Sequence, residues 1–90
     1  MNTPKVRARR RQTLSVGRIV HYWTERGGEL LPCAAIVVEA LPEGRAWLEV
    51  FRPTGHGGRD RVLAEACPWA IDEGVEQIAT EGKWSWPAIL

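Results

Sequence analysis

The stretch Arg52-Pro53-Thr54-Gly55-His56-Gly57-Gly58-Arg59-Asp60-Arg61 gathers the residue types of this chain best suited to polar chemistry. Its glycines let backbone N–H groups approach an anion, and its three arginines present planar forks that match a phosphate or a carboxylate. The spacing is not that of a phosphate-binding P-loop. A hairpin whose glycines only supply positive φ and whose arginines face water uses the same residues. His56 and His21 are the only side chains whose ordinary pKa lies near neutrality, and Asp60 is the carboxylate nearest to His56 in sequence. No nucleophile elbow, paired-carboxylate signature or zinc motif accompanies them, so the expectation is a protein without catalytic residues. His21, Cys33, His56 and Cys67 lack the close spacings of a Cys/His metal site, and neither a metal nor a cofactor is expected.

The second chemistry-bearing set is aromatic: Tyr22, Trp23, Trp47, Phe51, Trp84 and Trp86. A small domain needs large side chains in its core, which accounts for most of these rings. Trp23, Trp84 and Trp86 stand beside Gly-rich or Pro-rich turns and are the ones expected to keep an exposed edge. Exposed rings beside arginines suit a ligand with flat bases and charged phosphates, each stack contributing about 1–3 kcal/mol. A proline-rich peptide would use similar rings without needing the arginines. The candidate ligand-binding set is therefore Tyr22, Trp23, Phe51, Arg52, His56, Arg59, Arg61, Trp84 and Trp86.

These residues must be positioned by short strands. Arg18 to Thr24 is β-branched and aromatic and is followed by the turn residues Glu25 to Glu29; Ala34 to Ala40 is a near-continuous apolar run ending at a proline-glycine turn. Between Ala46 and Arg52, period two sets Ala46, Leu48 and Val50 on a core side and Trp47, Glu49 and Phe51 on a half-covered outer side. Arg59 to Ala64 and Lys83 to Trp86 read as two further short strands, Ala66 to Gly74 as a turn or one helical turn, and Val75 to Gly82 as an irregular connection. Trp84 and Trp86, two apart, share a face of a closing strand stopped by Pro87. No helix of ten residues is indicated, and the expectation is an all-β, SH3-like barrel of five or six strands over residues 14–90.

A chain of 90 residues fits one domain with a small core. Five of the twelve basic residues, Lys5, Arg7, Arg9, Arg10 and Arg11, lie in the first eleven positions, leaving seven basic against eleven acidic in the remainder. Residues 1–13 thus read as a disordered basic arm attached to an acidic body, a balance that favours polyanions at the arm alone. Cys33 and Cys67 read as reduced, buried small hydrophobes. No apolar run approaches the ~20 residues needed to span a bilayer, and the basic start lacks the apolar stretch of a signal peptide, so a cytoplasmic protein without membrane partners is expected.

The blocks Ser15-Val16-Gly17-Arg18-Ile19-Val20-His21-Tyr22, Ala34-Ala35-Ile36-Val37, Phe51-Arg52-Pro53-Thr54-Gly55 and Trp84-Ser85-Trp86-Pro87, in this order, resemble a family of small phage and prophage proteins. The resemblance covers most of positions 15–87 and implies an SH3-like barrel and a phage origin, in a family that is mostly uncharacterised. With the side-chain chemistry above, it leads to the expectation of a phage counter-defence protein in the infected host cell. Such a protein would sequester a nucleotide-type immune signal, such as a cyclic oligonucleotide, as a homo-oligomer with sites near subunit interfaces. Two alternatives stay open: a nucleic-acid-binding accessory module that uses the arm, and a protein–protein adaptor or inhibitor of a host defence effector.

Overall fold

The computed structural model describes residues 4–7, 13–52, 58–70 and 76–87. The fold is all-β. In chain order the strands are β1 (Lys5–Arg7), β2 (Ile19–Arg26), β3 (Glu29–Ala40), β4 (Ala46–Phe51), β5 (Arg59–Ala64), β6 (Glu76–Ile78) and β7 (Trp84–Ser85), with one 3₁₀ turn over Pro42–Gly44. Five of them form an antiparallel sheet in the order β5-β4-β3-β2-β7.

This sheet curls until its two ends meet. The backbone after β5 runs beside β7, where Trp84 N–H donates to the Glu65 carbonyl at 3.0 Å and Cys67 N–H donates to the Trp84 carbonyl at 2.7 Å. Closure joins edge to edge what would otherwise be two exposed ladders, and gives the small barrel-like architecture expected from the sequence. Inside it lie Val20, Ala35, Val37, Ala46, Leu48, Val50 and Ala64, with Trp84 and Trp86 packed among them. The alternation Ala46, Leu48, Val50 inward and Trp47, Glu49, Phe51 outward on β4 follows the period-two reading.

Two departures from the sequence reading concern the ends of the chain. The basic arm was expected to be disordered, yet Lys5–Arg7 is a strand that pairs antiparallel with β6, and Val6 is buried. Val75 to Gly82 was expected to be irregular, yet it contains β6, which is held by β1 on one side and by the 68–70 backbone on the other. There Ile78 N–H donates to the Pro68 carbonyl at 2.8 Å and Ala70 N–H donates to the Glu76 carbonyl at 2.6 Å. Three-residue strands carry too few side chains for a period to emerge; their pairing is decided by distant partners. This second, small sheet covers one end of the barrel's outer face, where Val6, Trp23, Cys67 and Ala79 form a second apolar cluster against Leu30.

β3 is longer than expected and carries Pro32 opposite Trp23. At Val38 the pairing of β3 with β4 shifts, from Val37 opposite Leu48 to Glu39 opposite Trp47. The extra residue is a bulge, and it turns Glu39 to the outer face that the preceding odd-numbered residues of β3 avoid.

Candidate functional site

The nine candidate residues separate into three places. Trp23, Trp84 and Trp86 were expected to show an edge to solvent, but they are 6%, 3% and 4% exposed and offer no stacking surface. The reason is a hydrogen-bonded core around β7. Trp84 and Trp86 meet edge to face, with centroids 5.0 Å apart at 84°, inside the barrel. Trp84 Nε1–H donates to the Gly44 carbonyl at 2.8 Å, closing over the 3₁₀ turn. Ser85 points the other way, into the second cluster, where its Oγ accepts from Trp23 Nε1–H at 2.9 Å and donates to the Trp86 carbonyl at 3.1 Å.

Gln77, which sequence reasoning passed over, completes this arrangement. It is fully buried, accepts from Trp86 N–H on Oε1 at 2.8 Å and donates from Nε2 to the Cys67 carbonyl at 3.0 Å. A glutamine in a three-residue strand gives no sequence signal of its own; the signal lies in the two backbone groups it satisfies. Trp69 was also overlooked; it packs half-buried against the barrel core and bridges to Gln77.

Tyr22 and Arg52 meet just beyond the end of β4. The Arg52 guanidinium carbon lies 6.0 Å from the centre of the Tyr22 ring, within cation–π range. Its Nε donates to Asp60 Oδ2 at 2.8 Å, and this hydrogen bond raises the arginine's pKa above its ordinary value. The Gly58 carbonyl accepts from Arg52 N–H at 3.1 Å. His56 lies outside the described residues, as do the rest of 53–57; Asp60 is engaged by Arg52.

Phe51, Arg59 and Arg61 belong to the outer face of the sheet. Phe51 stands opposite Arg59, Glu49 opposite Arg61 and Trp47 opposite Leu63, and directly opposed residues share a face. Arg61 donates to Glu49 Oε2 from both Nε and Nη2, at 3.3 and 3.2 Å, so its fork is already occupied by a carboxylate. Arg59 is exposed and has no ion-pair partner among the described residues. The aromatic–arginine set read from the sequence is therefore split. Tyr22 with Arg52 sits at the barrel mouth, Phe51 with Arg59 and Arg61 lies on the outer face, and the three tryptophans are internal.

Cys33 and Cys67 are buried free thiols, and burial pushes the Cys67 pKa up, away from the reactive thiolate. Among the described residues no three His, Cys, Asp or Glu side chains converge as a metal site. No helix among them is long and apolar enough to cross a membrane. In comparisons with known proteins, no family model, curated protein or solved structure matches the chain.

Proposed function

We propose that this chain acts by binding rather than by catalysis, as a cytoplasmic phage counter-defence protein that sequesters a nucleotide-type signal such as a cyclic oligonucleotide. The observation that carries the ligand class is the Tyr22–Arg52 pair: an arginine whose guanidinium carbon stands 6.0 Å from the centre of an aromatic ring, both half-buried. Such a pair offers a flat base a stacking partner and a phosphate a charged donor, the combination by which nucleotides are held without base-specific contacts. Asp60 keeps the guanidinium oriented until an anion competes for it. A site of this size encloses only part of such a ligand, and a homo-oligomer would supply the remaining walls.

The test is native mass spectrometry of the full chain mixed with linear and cyclic nucleotides. Sequestration requires retention of a cyclic nucleotide of unchanged mass, and Arg52→Ala should weaken that retention by about tenfold or more, a charge-assisted contact being lost. A wild-type protein that retains no member of the panel would overturn the nucleotide reading. It would favour the adaptor or inhibitor alternative, which is supported by a separate observation: Trp47 and Phe51 are each 36% exposed on one outer face.

A further inference from the structure

The seam that closes the barrel begins only at Glu65. Before it, β5 is the last strand of its sheet, paired with β4 on one side and with no described residue on the other. The alternation of the ladder fixes which groups this leaves open. Arg52 N–H donates to the Gly58 carbonyl, so in the β4–β5 register the even-numbered residues of β5 bond to β4. The N–H and C=O of Arg59, Arg61 and Leu63 therefore point away from it. Glu65, next in the same alternation, turns its carbonyl to Trp84 N–H on that outward side. The side chains of Arg59, Arg61 and Leu63 are exposed beside this row of unpaired groups. Residues 59–63 thus form an open ladder, a template for an added strand.

The charges on the edge decide what that strand can be. Antiparallel pairing with a second copy along the whole of 59–63 is centred on Arg61 and sets it against the second copy's Arg61. Sliding the register by two residues towards Arg59 opposes Arg59 and Arg61 twice. Sliding it the other way brings Arg59 to the place beside Glu65 that β7 already holds. Like charges directly opposite are destabilising, so the edge rejects its own image. Carboxylates in the same places are attracted. Arg59 has no ion-pair partner among the described residues, and Arg61, whose Nε and Nη2 hold Glu49, keeps a side chain that is 64% exposed. Leu63, 47% exposed and opposite Trp47, favours an apolar neighbour.

We propose that β5 receives an extended acidic segment of another protein as an additional antiparallel strand. Its backbone bonds to the N–H and C=O of Arg59, Arg61 and Leu63. Every second side chain lies on the outer face, apolar opposite Leu63 and acidic opposite Arg61 and Arg59. The intervening side chains lie beside Val62 and Asp60, where uncharged β-branched residues fit best. This inference gives the adaptor reading a partner chemistry and makes no use of the Tyr22–Arg52 pair, so either can fail without the other.

Fluorescence anisotropy of the full chain with the labelled peptide Thr-Val-Val-Glu-Thr-Glu-Thr tests it, with circular dichroism to verify that each variant folds. The expected result is saturable binding with a dissociation constant at or below ~100 µM. Arg59→Glu weakens it by about tenfold or more, as does lysine in place of both glutamates of the peptide. N-methylation of the two glutamates removes N–H groups that face β5 and abolishes binding; N-methylation of the threonine between them, whose N–H points away, leaves it within about threefold. A wild type that does not bind the peptide at ~1 mM overturns the proposal. So does binding indifferent to Arg59→Glu, and so does binding that survives N-methylation of the glutamates, which is attraction of charge without an added strand. A thymidine oligonucleotide that binds through Arg59 while the peptide does not also overturns it, and assigns the edge to phosphates.

Discussion

His21 stands on the outward side of β2, between Ala34 of β3 and Ser85 of β7, at the border between the covered and the open parts of the face. Partial burial lowers its pKa from the ordinary 6.5, because the imidazolium loses hydration there. Protonation is therefore easier in the unfolded chain than in the folded one. Above pH 6.5 both states are neutral at this site and the full stability is present. As the pH falls through that value and then through the lower folded one, the unfolded state takes up its proton first and stability drains away. Urea midpoints should decline between about pH 7.5 and about pH 5.5, and the decline should be shallower in His21→Gln. An identical slope in the variant would assign the pH dependence to other groups. Tyr22, the next residue along, illustrates why residue-level reading succeeded only in part. Its ring and Arg52 were both legible as binding types, but their meeting across 30 positions depends on the register of β2, β3 and β4.

At the scale of elements, β7 is two residues long and yet carries both clusters, with Trp84 and its neighbour Trp86 in the barrel and Ser85 in the outer cluster. The sequence reading placed Trp84 and Trp86 on one face and called the closing strand correctly. It erred on their exposure because flanking turns say nothing about what packs above them; Gln77 and Gly44, at the far ends of the hydrogen bonds, come from distant segments. Gln77→Ala should destabilise the protein by about 3 kcal/mol, since it orphans Trp86 N–H and the Cys67 carbonyl in a dry interior and each such loss costs about 1–3 kcal/mol. Equilibrium denaturation measures this directly, and a loss below about 0.5 kcal/mol would mean that the glutamine's bonds are replaced by water. β2, β3, β4 and β5 were legible because each spans enough residues for apolar patterning to show, whereas β1 and β6 were not.

For the molecule as a whole, the basic arm is part of the architecture at Val6, not merely a charged appendage. Val6 touches the cluster that contains Trp23, whose indole is bonded to Ser85, so the arm, the outer cluster and the barrel share one chain of contacts. Removing residues 1–12 would thus damage the fold along with the charge, and cannot isolate the arm's part in polyanion binding. Point substitutions separate the two. Val6→Ala should lower stability by about 1–2 kcal/mol through lost burial. Replacing Arg9, Arg10 and Arg11 by glutamine should leave stability within about 0.5 kcal/mol while lowering any salt-dependent affinity for nucleic acid. Denaturation curves and filter binding on the same variants check both halves. If Val6→Ala changed neither, the β1–β6 pairing would not contribute to the folded state in solution.

The closure of the barrel on Trp84 also has a consequence for how the chain comes into being. During translation β2 to β5 emerge well before the residues that seal them, and β1 must wait for β6, close to seventy positions later, to find its partner. Until Trp84 to Trp86 leave the ribosome the nascent sheet has no seam, and the apolar sides of Val20, Val37, Leu48 and Val50 lack their aromatic lid. Pairings this distant in sequence delay folding until late in synthesis. A chain cut short before Lys83 is therefore a sheet with an open seam and exposed apolar sides, the kind of species that aggregates unless chaperones hold it.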